Sequence, residues 1–206
     1  IDNSIDEYVM GHGRKIEVEI REKTVRIRDY GRGMPLGKLV DCVSKINTGA
    51  KYDSKVFKKA VGLNGVGSKA VNAMSMSFRV QSFREGKSKY ASFERGVLLE
   101  EKIVDDQESR DGTLVEFVPD PKIFGNYRFI EEHVEKMLWN YVFLNNGLAI
   151  YFNGEKYLAK NGLFDLLSRN INGNPVSYPI IHIKEGDFEC AFAHGLRTYG
   201  EEYFAF

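Results

Sequence analysis

Three short stretches of the chain carry residue types and spacings that could do chemistry: DNSIDE at residues 2–7, DYGRGMP at 29–35 and GLNGVGSK at 62–69. In the first, Asn3 and Glu7 are four apart and would share one face of a helix, opposite a stripe of Ile1, Ile5 and Val9. An amide beside a carboxylate on a pocket-facing helix suits a hydrated Mg2+ bridging phosphates, because that ion keeps its waters and takes few protein ligands. A lone Asn on a solvated helix surface is the plainer alternative. In the second, Asp29 stands at a strand end before Gly31 and Gly33. Such a carboxylate can accept a hydrogen bond from an exocyclic amine, as Asp or Glu does from cytosine N4, and the N6 amine of adenine is the natural candidate. The two glycines let backbone approach a flat base. Thr113, in GTLVEF at 112–117, has a hydroxyl able to hold a water against the same edge. In the third, Gly65, Val66 and Gly67 precede a helix start, where free N–H groups and the helix dipole favour phosphate.

Taken alone, the third stretch fits two other loops imperfectly. A P-loop needs Lys directly after its last glycine, but Ser68 stands there, and FKKAV at 57–61 makes a poor preceding strand. Residues 65–70 also match G-x-G-x-x-A. A dinucleotide fold would place an acid about 20 positions on, within a βαβ unit; the acid available is Glu85, in a turn between antiparallel strands. A purely structural glycine-rich turn is the third reading. The order of the separate motifs along the chain is what favours nucleotide binding.

Basic and acidic residues balance at 29 each, so composition gives no overall pull toward nucleic acid or membrane. Cys42 and Cys190 are far apart and near no metal-ligand cluster, and are expected to be two reduced thiols. No apolar run approaches the ~20 residues of a membrane span, and no signal peptide opens the chain. Helical periodicity already at Ile1, and an apolar EEYFAF at the end, give the expectation of a fragment of a longer protein.

The elements that must position these motifs follow from periodicity. Alternation predicts a hairpin over residues 15–20 and 25–28 that delivers Asp29 at its end. Helical spacing is expected near 39–46 and 66–74, with a polar, Lys-rich loop at 47–61. Residues 77–82, 89–93 and 113–118 read as antiparallel strands, 128–144 as a long amphipathic helix, and 148–152 as a strand ending at the Asn153-Gly154 turn signal. A short helix at 163–169 is broken by Asn174-Pro175, and 178–184 with 188–193 read as a new hairpin.

Together and in this order, the motifs resemble the GHKL ATPases, the superfamily of gyrase, histidine kinases and MutL. DNSIDE is similar to the N-box, DYGRGMP to the first glycine motif, and GLNGVGSKAVNAMS to the second, which closes the ATP lid. Within the superfamily, D-x-G-R-G-x-P and G-L-x-G-V-G-x-x-x-V-N-A-x-S resemble the B subunit of bacterial type IIA topoisomerases over residues 1–160. Asn64, where gyrase B usually has His, the following Ser68-Lys69, and the short segment at 35–51 are closer to a topoisomerase IV B subunit than to gyrase B. A MutL-type clamp and a histidine-kinase catalytic domain are the alternatives within the superfamily, and a nonenzymatic nucleotide-sensing module is the alternative outside it.

The resemblance implies an α+β fold: a two-layer α/β sandwich of the Bergerat type, with a mostly antiparallel sheet and helices on one face. It implies an ATP-binding domain over 1–172, and from 173 to 206 the beginning of a transducer domain, an incomplete second α/β domain. It also implies roles. Asn3 would bind Mg2+, Asp29 the adenine amine, and Gly33 and Thr113 would support a bound water. Glu7 and Arg32 would pair beside the base, whose outer side faces Met34 and Pro35. Gly62, Leu63, Asn64, Gly65, Val66, Gly67 and Ser68 would wrap the phosphates, with Lys51 near them in the lid. Arg84 would flank the pocket mouth, where coumarin and pyrrole-type inhibitors of the family reach. Phe57 stands where the family commonly has Tyr; it can stack but has no hydroxyl to donate.

The family's general base is a Glu four residues before the N-box Asn, a position before Ile1, so no catalytic residue is assigned here. The exchanging N-terminal arm and the transducer Lys that reaches the γ-phosphate fall outside the chain as well. The 206 residues are therefore expected to bind ATP and Mg2+, to hydrolyse poorly and to be monomeric. The intact protein is expected to be an ATP-hydrolysing topoisomerase of the bacterial cytoplasm. It would close as a self-dimer clamp on DNA together with an A subunit, away from membranes.

Overall fold

The computed structural model describes residues 1–46, 65–186, 188–196 and 200–206. Alternating apolar and charged residues build β1 (Lys15–Arg21) and β2 (Thr24–Asp29), paired antiparallel from Ile16↔Asp29 to Arg21↔Thr24. An antiparallel run follows: β3 (Ser75–Arg84), β4 (Lys87–Glu94), β5 (Val97–Asp105) and β6 (Gly112–Pro119). Then come β7 (Ala149–Phe152) and β8 (Glu155–Tyr157). These strands form one eight-stranded sheet in the order β5-β4-β3-β6-β2-β1-β7-β8. The β1–β7 pair is parallel and the other neighbours are antiparallel. That order makes β2 and β6 the central strands.

Six α-helices are described: α1 (Asp2–Val9), α2 (Leu39–Ser44), α3 (Gly67–Ala73), α4 (Pro121–Phe124), α5 (Glu131–Leu144) and α6 (Leu163–Ile171). Those that pack do so on one side of the sheet and divide its core in two. Ile5 of α1, Leu138, Val142 and Phe143 of α5 and Leu166 of α6 meet Ile16, Val18, Ile150 and Phe152. Leu39 and Val43 of α2 meet Phe78, Val80, Ala91 and Phe93. Full burial of each such side chain is worth roughly 1.5–3 kcal/mol. The two clusters adjoin over the central strands, which is where Asp29 lies. The resulting α+β two-layer architecture is the one the sequence led us to expect.

Two details differ from the sequence reading. Ile5 is fully buried, but Val9, expected on the same stripe, is 43% exposed, and Tyr8 supplies the last turn's contact with the core instead. β5 has no counterpart among the expected strands. It is an edge strand whose residues are nearly all exposed, so neither face imposes a two-residue period on VLLEEKIVD.

β9 (Ile181–Glu185) and β10 (Phe188–Phe192) pair antiparallel in a separate two-stranded sheet. It is tied to α6 by Glu189, whose carboxylate accepts from the Leu163 N–H at 2.7 Å and from Lys184 Nζ at 2.8 Å, with His182 Nε2 at 3.0 Å. Cys42 and Cys190 are both free thiols, not joined in a disulfide. No described helix is long and apolar enough to cross a membrane.

Candidate functional site

Asp29 closes β2, where the strand's alternation turns Val25, Ile27 and Asp29 toward the helices. Its side chain is almost fully buried and already holds three hydrogen bonds. Oδ1 accepts from the Gly31 N–H (3.0 Å) and the Thr113 N–H (3.1 Å), and Oδ2 from Ser4 Oγ (3.2 Å). An ionised carboxylate has about four acceptor directions, so room is left for a further donor such as an amine. Burial pushes the Asp29 pKa above the ordinary carboxylate value. It outweighs the Gly31 and Thr113 N–H groups, the Ser4 hydroxyl and the Arg28 charge, which all pull the other way.

The turn after Asp29 is pressed between α1 and β3. A Cβ on Gly31 would sit 2.8 Å from the Glu7 Cβ. Gly33 has φ +71°, and a Cβ there would lie 2.5 Å from the Phe83 carbonyl oxygen, so both its conformation and its surroundings require glycine. Ser82 Oγ donates to the Met34 carbonyl at 2.7 Å, which fixes the far end of the turn, before Pro35.

Glu7 and Arg32 form the pair expected of them. The Arg32 backbone N–H and Nε both donate to Glu7 Oε2 at 3.0 Å, and Nη2 donates to Oε1 at 2.9 Å. Burial acts to raise the Glu7 pKa, but these bonds and the Arg32 charge hold it below its usual value. Bidentate geometry of this kind fixes orientation as well as charge.

Asn3 is exposed, although the next three residues of α1 are buried. The side chain of Asn3 is therefore accessible to water. Among the described residues no cluster of three or more His, Cys, Asp or Glu could hold a metal ion. A lone side-chain amide could serve only an ion held otherwise by phosphates and water.

Before α3, Gly65 has φ +59°, and Lys69 reaches back from the helix to donate through Nζ to the Gly65 carbonyl. Asn72 Nδ2 donates to the Val43 carbonyl at 3.0 Å, docking α3 on α2. Val66 and Gly67 are exposed and Ser68 is half-buried. Lys51, Phe57, Gly62, Leu63 and Asn64 lie outside the described residues. Arg84 ends β3 one residue beyond Phe83, with Nε 3.0 Å from Glu85 Oε1, while the Glu85 N–H donates to Asp111 Oδ1 at 3.0 Å. The fold thus brings Glu7, Asp29, Arg32, Gly33 and Thr113 together and places Arg84 at the neighbouring strand end.

Sequence reasoning missed Ser4 and Ser82, which act through single hydroxyl contacts. Ser4 lies inside DNSIDE, one place from Asn3, and its position beside Ile5 was the signal available. Two open depressions, about 580 Å3 beside Gly13, Lys15, Tyr30 and Arg110 and about 410 Å3 beside Glu19, Arg26 and Glu116, lie on the face of the sheet away from the helices. Neither includes Asn3 or Asp29, so they are distinct from the site described.

The family model described as histidine kinase-, DNA gyrase B-, and HSP90-like ATPase matches residues 1–122. The B subunit of DNA topoisomerase 4 from Borreliella burgdorferi is 47% identical over 206 residues, covering 100% of this chain and 34% of that protein. The B subunit of DNA gyrase from Thermus thermophilus is 31% identical over 195 residues, covering 86% of this chain and 31% of that protein. The chain therefore spans about a third of the length of these curated relatives. Among solved structures, the 43K ATPase domain of Thermus thermophilus gyrase B in complex with an aminocoumarin superposes with a TM-score of 0.72 at 27% identity, covering 92% of this chain and 53% of that one.

Proposed function

This chain belongs to the histidine kinase-, DNA gyrase B- and HSP90-like ATPases, and from that membership we propose that it is the Mg·ATP-binding part of a type IIA topoisomerase B subunit, of the topoisomerase IV kind rather than gyrase. The observation that carries the reading is the buried Asp29 carboxylate, held by Ser4, Gly31 and Thr113 with acceptor capacity to spare. Asp29 takes the adenine amine, and Gly33 and Thr113 flank the water that completes recognition of that edge. Glu7 and Arg32 wall the base, with Met34 and Pro35 on its outer side. Asn3 would hold Mg2+, which would neutralise phosphate charge. Gly65, Val66, Gly67 and Ser68 meet the phosphates, and Arg84 stands at the mouth that an inhibitor would cross.

Residues 1–172 form the nucleotide domain and residues 173–206 the start of a transducer. In the intact protein, nucleotide binding dimerises two such domains into a clamp on DNA, and hydrolysis, in concert with an A subunit, resets it. The 206 residues bind nucleotide, and the resemblance assigns the general base to none of them. The 47% identity to a topoisomerase 4 B subunit supports this reading over gyrase.

Calorimetric titration with Mg·ATP, and with an adenine-pocket inhibitor of the aminocoumarin class, tests the assignment. Saturable binding of both, each displacing the other, is expected. Absence of nucleotide binding would overturn it. Comparing Mg·ATP turnover with and without an added upstream helix, in the presence of DNA, separates an enzyme from a nonenzymatic sensor.

A further inference from the structure

We propose that Arg28 is a positioning residue for adenine recognition. Acting from the opposite face of the sheet, it locks together the three strand ends that carry Asp29, Gly33's support and Thr113. The proposal rests on the nucleotide reading above and adds a residue that none of the sequence motifs contains.

Alternation along β2 sends Arg28 to the face away from the helices, where its neighbours Glu17 and Glu19 of β1 and Arg26 of β2 are solvated or paired. Arg28 is nonetheless only 8% exposed. Its guanidinium lies over the rings of Tyr30 (4.7 Å) and Phe83 (4.3 Å). Nη1 donates to the Asp29 carbonyl, and Nη2 donates to the Arg110 carbonyl at 2.5 Å. It makes no ion pair with a carboxylate among the described residues. A cation buried on these terms is costly unless its neighbours compensate, and here two backbone carbonyls and two aromatic faces do so.

Those four contacts fall on the pieces that shape the site. The Asp29 carbonyl belongs to the residue whose carboxylate meets the base. Phe83 is the residue whose carbonyl packs on Gly33. Arg110 leads into β6 two residues before Gly112, which has φ +138°. A Cβ on Gly112 would overlap both the Asp29 carbonyl oxygen and Arg28 Nη1. The next residue, Thr113, gives its N–H to Asp29 Oδ1. One planar fork therefore sets the spacing of β2, β3 and β6 directly behind the Asp29 carboxylate. Lysine cannot reproduce it, because an ammonium offers neither a plane to stack nor two parallel donors.

The test uses the full-length protein. Affinity for ADP is measured by calorimetry, and melting temperature recorded, for the parent, Arg28→Gln, Arg28→Lys and Leu138→Ala. The last is a core substitution in α5, outside the residues that hold Asp29, and it lowers stability. Arg28→Gln is expected to weaken ADP binding by about tenfold or more, the scale of one lost charge-assisted hydrogen bond. Arg28→Lys should fall between Arg28→Gln and the parent, and Leu138→Ala should bind like the parent despite its lower melting temperature. ADP affinity in both Arg28 variants equal to the parent's would overturn the proposal, as would an equal loss in Leu138→Ala. If Arg28→Gln does not fold, Arg28→Lys decides: unchanged affinity refutes the positioning role and reduced affinity supports it. A parent that fails to bind ADP would instead overturn the nucleotide reading itself.

Discussion

Asp29, the proposed contact for adenine, costs the fold something. Its pKa is raised, so the folded state disfavours the ionised form that the adenine amine requires. The sign follows from linkage: a group with a raised folded pKa supports folding below its unfolded value, near 3.9, and loses that support as pH rises through the folded pKa. Asp29→Asn removes the charge while keeping an oxygen for the Gly31 and Thr113 N–H groups. It should melt at or above the parent's temperature at pH 7, yet lose ATP binding, since a donor would replace an acceptor facing the amine. Calorimetry beside a thermal melt checks both halves, and retained ATP affinity would remove Asp29 from the adenine site. Asn3→Ala should act differently, weakening Mg2+-dependent ATP binding while sparing a ligand confined to the adenine end. Equal loss of both would contradict its metal role.

The turn from Asp29 to Pro35 holds its shape through contacts with neighbouring elements more than through its own bonds. Gly33→Ala must place a Cβ at positive φ against the Phe83 carbonyl, and should destabilise the protein by more than about 1 kcal/mol in urea unfolding. Gly37, in the short 3-10 helix Leu36–Lys38, has nothing within 4 Å of a Cβ, so Gly37→Ala should leave the unfolding midpoint almost unchanged. Similar effects from the two substitutions would show that the strand-end contacts do not constrain this turn. The glycines of DYGRGMP were legible as a break, but the spacing could not tell which one is indispensable. That depends on β3, which arrives more than forty residues later.

For the molecule as a whole, the proposed nucleotide site lies over the central strands, while α6 links the β9–β10 hairpin to the core. Glu189 joins these parts by accepting from the Leu163 N–H, Lys184 and His182. Burial acts to raise its pKa, but those partners hold it below the usual value. Its contribution is therefore present above the unfolded carboxylate pKa, near 4.3, and is lost as pH falls through the lowered folded value. Glu189→Gln should speed amide hydrogen exchange in residues 181–192 at neutral pH and leave ADP affinity unchanged. Exchange that stays at the parent's rate would mean the hairpin is held by other contacts.

Much of the site's raw material is written locally: the order of the three motifs, the alternation that ends the first hairpin at Asp29, and the helical spacing that buries Ile5. Period and turn chemistry act over a few residues, which is why a linear reading finds them. Folding in three dimensions was needed to bring Ser4 and Thr113, 25 and 84 residues from Asp29, onto one carboxylate. It also made β5 a wet edge, and it buried Arg28, on a strand face that reads as solvent, between two rings. Each of those outcomes depends on which strands become neighbours, and backbone pairing between distant segments leaves no periodic trace in either one.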